Sequence, residues 1–100
     1  MDTQPTAFIT VFDVDPERQH DLLDVLQEGA DQVIRHRPGF IGISLFASQD
    51  GRRIINVARW ETADAAAATR DDPDAATYSA RAAALGSPVP GVFSLAADIR

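Results

Sequence analysis

The chain has 100 residues, 45% of them hydrophobic and 24% charged, which suits one globular domain with one core, though a fold this small leaves much surface uncovered. Its formal charge is -6, from fifteen acids against nine bases, and the bases form no stripe that could track phosphates, so nucleic acid is not an expected partner. Cysteine and lysine are both missing from the sequence, which excludes disulfides, thiolate catalysis, cysteine-ligated metals and Schiff-base chemistry.

The opening Met1-Asp2-Thr3-Gln4-Pro5 lacks a basic region followed by an apolar run, and no apolar stretch reaches the roughly 20 residues of a membrane span. A cytoplasmic protein without membrane contact is the expectation. From Ala7 to Val14 the chain is rich in β-branched and aromatic residues and reads as a first strand. Asp15-Pro16 then reads as an N-cap with proline at the first helical position. Leu22, Leu23, Val25, Leu26, Ala30, Val33 and Ile34 recur at helical spacing, and Arg35, His36 and Arg37 suit a helix C-terminus before Pro38-Gly39. Gly29 inside that helix carries a penalty of about 1 kcal/mol against alanine, so close packing or pocket space should account for it.

Phe40 to Ala47 reads as a second strand, Gln49-Asp50-Gly51-Arg52 as a tight turn with positive φ at the glycine, and Arg53 to Trp60 as a third strand. Thr62 can cap a second helix through the alanines 65 to 68, which Asp72-Pro73 breaks and restarts before Gly86. Ser87-Pro88-Val89-Pro90-Gly91 reads as a loop and Val92 to Ile99 as a fourth strand. The order βαββαβ is the α+β, ferredoxin-like plan: a four-stranded antiparallel sheet with its helices on one face.

The strands are nevertheless apolar on both faces: Phe8 and Phe12 oppose Ile9 and Val11, Phe40 and Phe46 oppose Ile41, Ile43 and Leu45, and Ile54 opposes Ile55 and Val57. A sheet covered on one side alternates apolar with polar. The second face therefore needs a cover, and a second copy of the chain, packed sheet to sheet as a homodimer, is the simplest.

Asn56 and Trp60, the sole asparagine and sole tryptophan, lie four residues apart on the third strand and so point to the same face. A carboxamide among Ile54, Ala58 and Trp60 needs a hydrogen-bond partner, which either neighbouring backbone or a ligand supplies. At about 3.3 Å per residue the two side chains stand roughly 13 Å apart, a span comparable with a fused tricyclic ring system. His20 and His36 sit near opposite ends of the first helix, so no metal site is expected within one subunit.

Asp15-Pro16-Glu17, Pro38-Gly39-Phe40, Ser48-Gln49-Asp50-Gly51 and Asn56-Val57-Ala58-Arg59-Trp60-Glu61-Thr62, in this order and spacing, resemble the antibiotic biosynthesis monooxygenase family, from about Phe8 to Leu95. The resemblance implies a dimeric α+β barrel. It also implies oxygenation without a bound cofactor, in which molecular oxygen turns an anthrone-type polyketide intermediate into a quinone. Asn56 and Trp60 match residues that line the pocket in that branch and are the candidate catalytic pair. A tyrosine and an arginine implied by the resemblance fall near Ala66 and Ser79, and the neighbouring Tyr78 and Arg81 are the candidates for substrate binding. On the residues alone, Tyr78 reads rather as a helix residue whose hydroxyl reaches solvent and Arg81 as a surface ion-pair partner. Two other functions stay open: a small-molecule or quinone-binding accessory protein of the same fold, and oxygenation with reduced flavin from a separate reductase. Haem degradation, also implied by the fold, calls for a late helical histidine and a first-strand asparagine, and neither is present.

Overall fold

The structure, a computed structural model, describes residues 5–100; residues 1–4, part of the segment read above for targeting signals, lie outside the described residues. Four strands, β1 (Thr6–Val14), β2 (Phe40–Ala47), β3 (Arg53–Trp60) and β4 (Gly86–Ser94), form one sheet in the order β2-β3-β1-β4, every neighbouring pair antiparallel. Helices α1 (Gln19–Gln32), α2 (Ala63–Arg70) and α3 (Pro73–Leu85) complete a ferredoxin-like α+β fold, with a 3-10 turn, Ile34–His36, closing the end of α1. No helix is long and apolar enough to cross a membrane among the described residues.

Two helix starts follow the short-range signals. Thr62 Oγ1 accepts a hydrogen bond from the Ala65 N–H at 3.1 Å, and Asp72 Oδ2 accepts from the Asp74 and Ala75 N–H groups at 3.1 Å each, with Pro73 as the first residue of α3. The Asp15-Pro16 reading is corrected. The Arg18 N–H donates to the Asp15 carbonyl at 2.8 Å, so these residues close a turn of their own, and α1 begins at Gln19 with no side-chain cap. The β2–β3 hairpin needs φ of +79° at Gly51, the region glycine enters without steric penalty, and Ser48 Oγ accepts from the Arg52 and Arg53 N–H groups to hold it.

Two further readings are corrected. Residues 87–91 are strand, not loop, and the strand ends at Ser94 rather than running to Ile99. Prolines 88 and 90 are accommodated because β4 pairs with β1 alone, so an edge lies on its other side. Helix α3 passes directly into β4 because Gly86 sits where a Cβ would come within 2.9 Å of the Asp13 carbonyl oxygen. The second correction concerns Phe40. An irregularity between Phe40 and Gly42 shifts the register, so Phe40 pairs with Trp60 and Ile43 with Ala58, and Phe40 shares a face with Ile43 and Leu45 while Phe46 points to the other side.

All three helices cover the face that carries Phe8, Thr10, Phe12, Ile54, Asn56, Ala58 and Trp60. One end of this layer is solid: Phe12, Val14 and Ile54 meet Leu22 of α1 and Ala82 of α3, with Leu22 and Ile54 fully buried. At the other end Ala58 and Trp60 meet Ala66 of α2, flanked by Phe8, Ile34 and Phe40. The opposite face of the sheet is uncovered, with Phe46 58% and Val89 64% exposed.

Candidate active site

Between the sheet and the helices lies a chamber of about 290 Å³ whose lining is predominantly apolar. This sits at the lower edge of the roughly 300–1,000 Å³ spanned by small-molecule sites. Alanines make the space: Ala66, Ala75 and Ala82 line it from α2 and α3, where larger side chains would fill it.

Asn56 and Trp60 both line the chamber, from the interior strand β3. Trp60 is 3% exposed and held edge-on by Phe40, ring centroids 5.6 Å apart at 79°. The Asn56 carboxamide is only half-buried and makes no side-chain hydrogen bond among the described residues, so its donor and acceptor remain available to the chamber. Directly across the β1–β3 ladder stands Thr10, also in the lining and 7% exposed. Cross-strand neighbours have Cβ atoms about 5 Å apart, so a hydroxyl and a carboxamide stand side by side in the lining. Sequence reading missed Thr10 because its importance comes from strand register, which one strand taken alone does not disclose.

Tyr78 lines the chamber from α3. Its ring packs against Gly29 of α1, where a Cβ would meet the Tyr78 Cγ at 3.0 Å, so close packing is the reason for that glycine. The Glu28 carboxylate beside the phenol raises the Tyr78 pKa above its ordinary value, with partial burial adding to the effect and Arg81 opposing it. Tyr78 is therefore a proton-bearing donor at neutral pH. Arg81 does not line the chamber: it is half-exposed, pairs with Glu28 at 2.8 Å and lies 5.0 Å from the Tyr78 ring centroid. That pairing holds the Glu28 carboxyl below its ordinary value, Arg81 contributing first and Tyr78 second.

Ala66 and Ser79, where the resemblance leads one to expect a tyrosine and an arginine, both line open space. The one charged residue in the lining is Arg70, at the end of α2, its guanidinium 4.9 Å from the Phe8 ring centroid. Nothing in the sequence near Arg70 marks it, since Phe8 lies more than sixty positions away.

The profile of the antibiotic biosynthesis monooxygenase family matches residues 5–81. The chain belongs to that family. It is 36% identical over 67 residues to the tetracenomycin-F1 monooxygenase of Streptomyces glaucescens, a match covering 67% of this chain and 60% of that relative. Among solved structures, the monooxygenase from the gene ActVA-Orf6 of Streptomyces coelicolor, in complex with nanaomycin D, superposes with a TM-score of 0.86 at 28% identity, over 98% of this chain and 93% of that one. SnoaB, a cofactor-independent oxygenase from Streptomyces nogalater, shares the fold, as its N63A mutant superposes with a TM-score of 0.84 at 20% identity, over 96% and 97% of the two chains.

Proposed function

We propose that this chain is a monooxygenase that converts an anthrone-type, polyketide-derived polycyclic aromatic to a quinone with molecular oxygen and no bound cofactor. One observation carries the reading: a half-buried carboxamide, with no side-chain hydrogen bond among the described residues, lines an apolar chamber of aromatic dimensions beside the indole of Trp60. Membership of the family and the named activities of its relatives support it.

In an anthrone the methylene carbon loses a proton to give a delocalised enolate, and this anion delivers electrons to oxygen. One oxygen atom ends in the new carbonyl, and the other leaves as water with the two methylene hydrogens. The reaction therefore asks the protein chiefly to hold and stabilise an oxyanion away from bulk water. The Asn56 amide N–H, with the Thr10 hydroxyl beside it, is the donor we assign to that oxyanion. Such a donor is typically worth about 3 to 4 kcal/mol of transition-state stabilisation in a water-poor site. Trp60 supplies the wall on which the ring system lies. No Asp, Glu, His or Lys lines the chamber among the described residues, so substrate acidity is raised here by anion stabilisation rather than by a strong base. Tyr78, which keeps its proton, can donate to the departing oxygen.

We also propose a homodimer formed through the uncovered sheet face. Phe46, Ile55, Val89 and Phe93 project from that face and would be removed from water by a second copy. A monomeric mass in solution at micromolar concentration would contradict this.

The test of the activity is direct. Purified, metal-chelated protein is mixed with dithranol in air, with and without reduced flavin, and quinone absorbance is followed. The proposal expects acceleration over buffer without flavin. A rate equal to buffer in both arms supports a non-catalytic ligand carrier of the same fold, and acceleration confined to the flavin arm overturns the cofactor-free part.

A further inference from the structure

We infer that Arg70 is a specificity residue that selects substrates bearing a carboxylate on the ring remote from the reacting carbon. The inference rests on the aromatic-binding reading above and adds the chemical class of substituent that the chamber takes.

The argument starts from the lining itself. Among the residues that line the chamber Arg70 alone is charged, in a chain whose net charge is -6. No acid among the described residues lies within ion-pair distance of its guanidinium, whereas Arg37 pairs with Asp72 at 3.4 Å and Arg81 with Glu28 at 2.8 Å. The Phe8 ring, 4.9 Å away, holds the guanidinium through its π face. A guanidinium held that way keeps N–H donors at its edge, and its planar fork matches a carboxylate bidentately.

The register supplies the spacing. Phe8 lies two residues along β1 from Thr10, the cross-strand partner of Asn56, and both Phe8 and Thr10 face the chamber. Two strand residues correspond to roughly 7 Å. A rigid fused-ring ligand with its oxyanion at Asn56 and its flat face along Trp60 then brings a substituent on another ring toward the Phe8–Arg70 end. Arg70 itself is exposed, so water screens part of a charge pair formed there, and the bidentate fit of guanidinium to carboxylate carries the preference. The negative charge of the whole protein disfavours anions at long range, so any preference for a carboxylate must come from this local contact.

The experiment compares anthraquinone-2-carboxylate with its neutral isostere anthraquinone-2-carboxamide. Binding to wild type, Arg70→Met and Arg70→Lys is measured by calorimetry, with quenching of Trp60, the sole tryptophan, as a second readout. The expected result is a carboxylate preference of about tenfold or more in wild type, the size of a charged hydrogen-bonded contact. That preference should disappear in Arg70→Met and survive in reduced form in Arg70→Lys, while carboxamide affinity falls by less than carboxylate affinity because only a neutral hydrogen bond is lost; the thermal midpoint reports that each variant is folded. Equal affinity of wild type for both ligands, or a preference that survives in Arg70→Met, overturns the role of Arg70 and leaves the oxygenase reading standing. Failure of wild type to bind either ligand overturns the aromatic-binding reading and this inference together.

Discussion

The layer between sheet and helices has two ends that share strands β1 and β3. At one, Ile54 and Phe12 are filled in by Leu22 of α1; at the other, Ala58 and Trp60 touch Ala66 of α2, and with Asn56 they border the open chamber. Strand β3 runs through both, so the difference lies in what the helices present. At the solid end α1 brings Leu22, whereas around the chamber α2 and α3 bring Ala66 and Ala75, and α1 adds Gly29 and Ala30 beside Val25 and Leu26. The lesson is that stability and site are spatially divided: large side chains close one end, and small ones hold the other open beside the polar groups.

The division can be broken from the solid end first. Leu22→Ala removes a fully buried side chain and should destabilise by about 2–5 kcal/mol. That corresponds to a fall in thermal midpoint of about 10 °C or more by calorimetry. Binding of anthraquinone-2-carboxamide should persist at temperatures where the variant is folded.

The complementary change fills the open end. Ala66→Leu places three extra carbons in the chamber, so binding of anthraquinone-2-carboxamide should weaken about tenfold or more, the scale of occluding an apolar contact surface. Stability should change by less than the roughly 1–3 kcal/mol that overpacking costs in a filled core. A midpoint drop as large as that of Leu22→Ala would mean that the two ends are equally packed.

Gly29→Ala tests the seam between α1 and α3. The added methyl meets Tyr78 at 3.0–3.2 Å, and the strain is partly offset by a helix-propensity gain of about 1 kcal/mol. A net loss of about 1 kcal/mol and a displaced Tyr78 are expected, seen as a lower midpoint and a changed tyrosine titration.

The smallest effect concerns the Glu28–Arg81 pair at the rim. Arg81, and then Tyr78, hold the Glu28 carboxyl below its ordinary 4.5, so its contribution to stability is present above that pH and is lost as pH falls through the lower folded value. The midpoint difference between wild type and Glu28→Gln should therefore be small at neutral pH, as for other exposed pairs, and should vanish in acid.

What could be read from the sequence were features set by a few adjacent residues: the Thr62 and Asp72 caps, the positive φ of Gly51, and the alternation that puts Asn56 and Trp60 on one face. What could not be read depends on partners distant in the chain. Prolines 88 and 90 signal a loop locally, and become strand because β1 pairs with them along one side. Phe40 changes face through a shift that only the pairing with Trp60 reveals. Arg81 is a candidate only through the resemblance; its partner Glu28, on a different helix, could not be named from the sequence, and the pair lies outside the lining. Arg70 and Thr10 gain their places from Phe8 and Asn56 respectively, contacts that no local pattern encodes.

The central claim is that the unpartnered carboxamide stabilises an oxyanion in the chamber. It is tested most directly by the rate of quinone formation from a saturating anthrone, wild type against Asn56→Ala, with calorimetric affinity measured on both. The account predicts a loss of about 10²–10³ in rate, the scale of one oxyanion donor, with affinity for the neutral ring system little changed. An unchanged rate in a folded Asn56→Ala protein would contradict it.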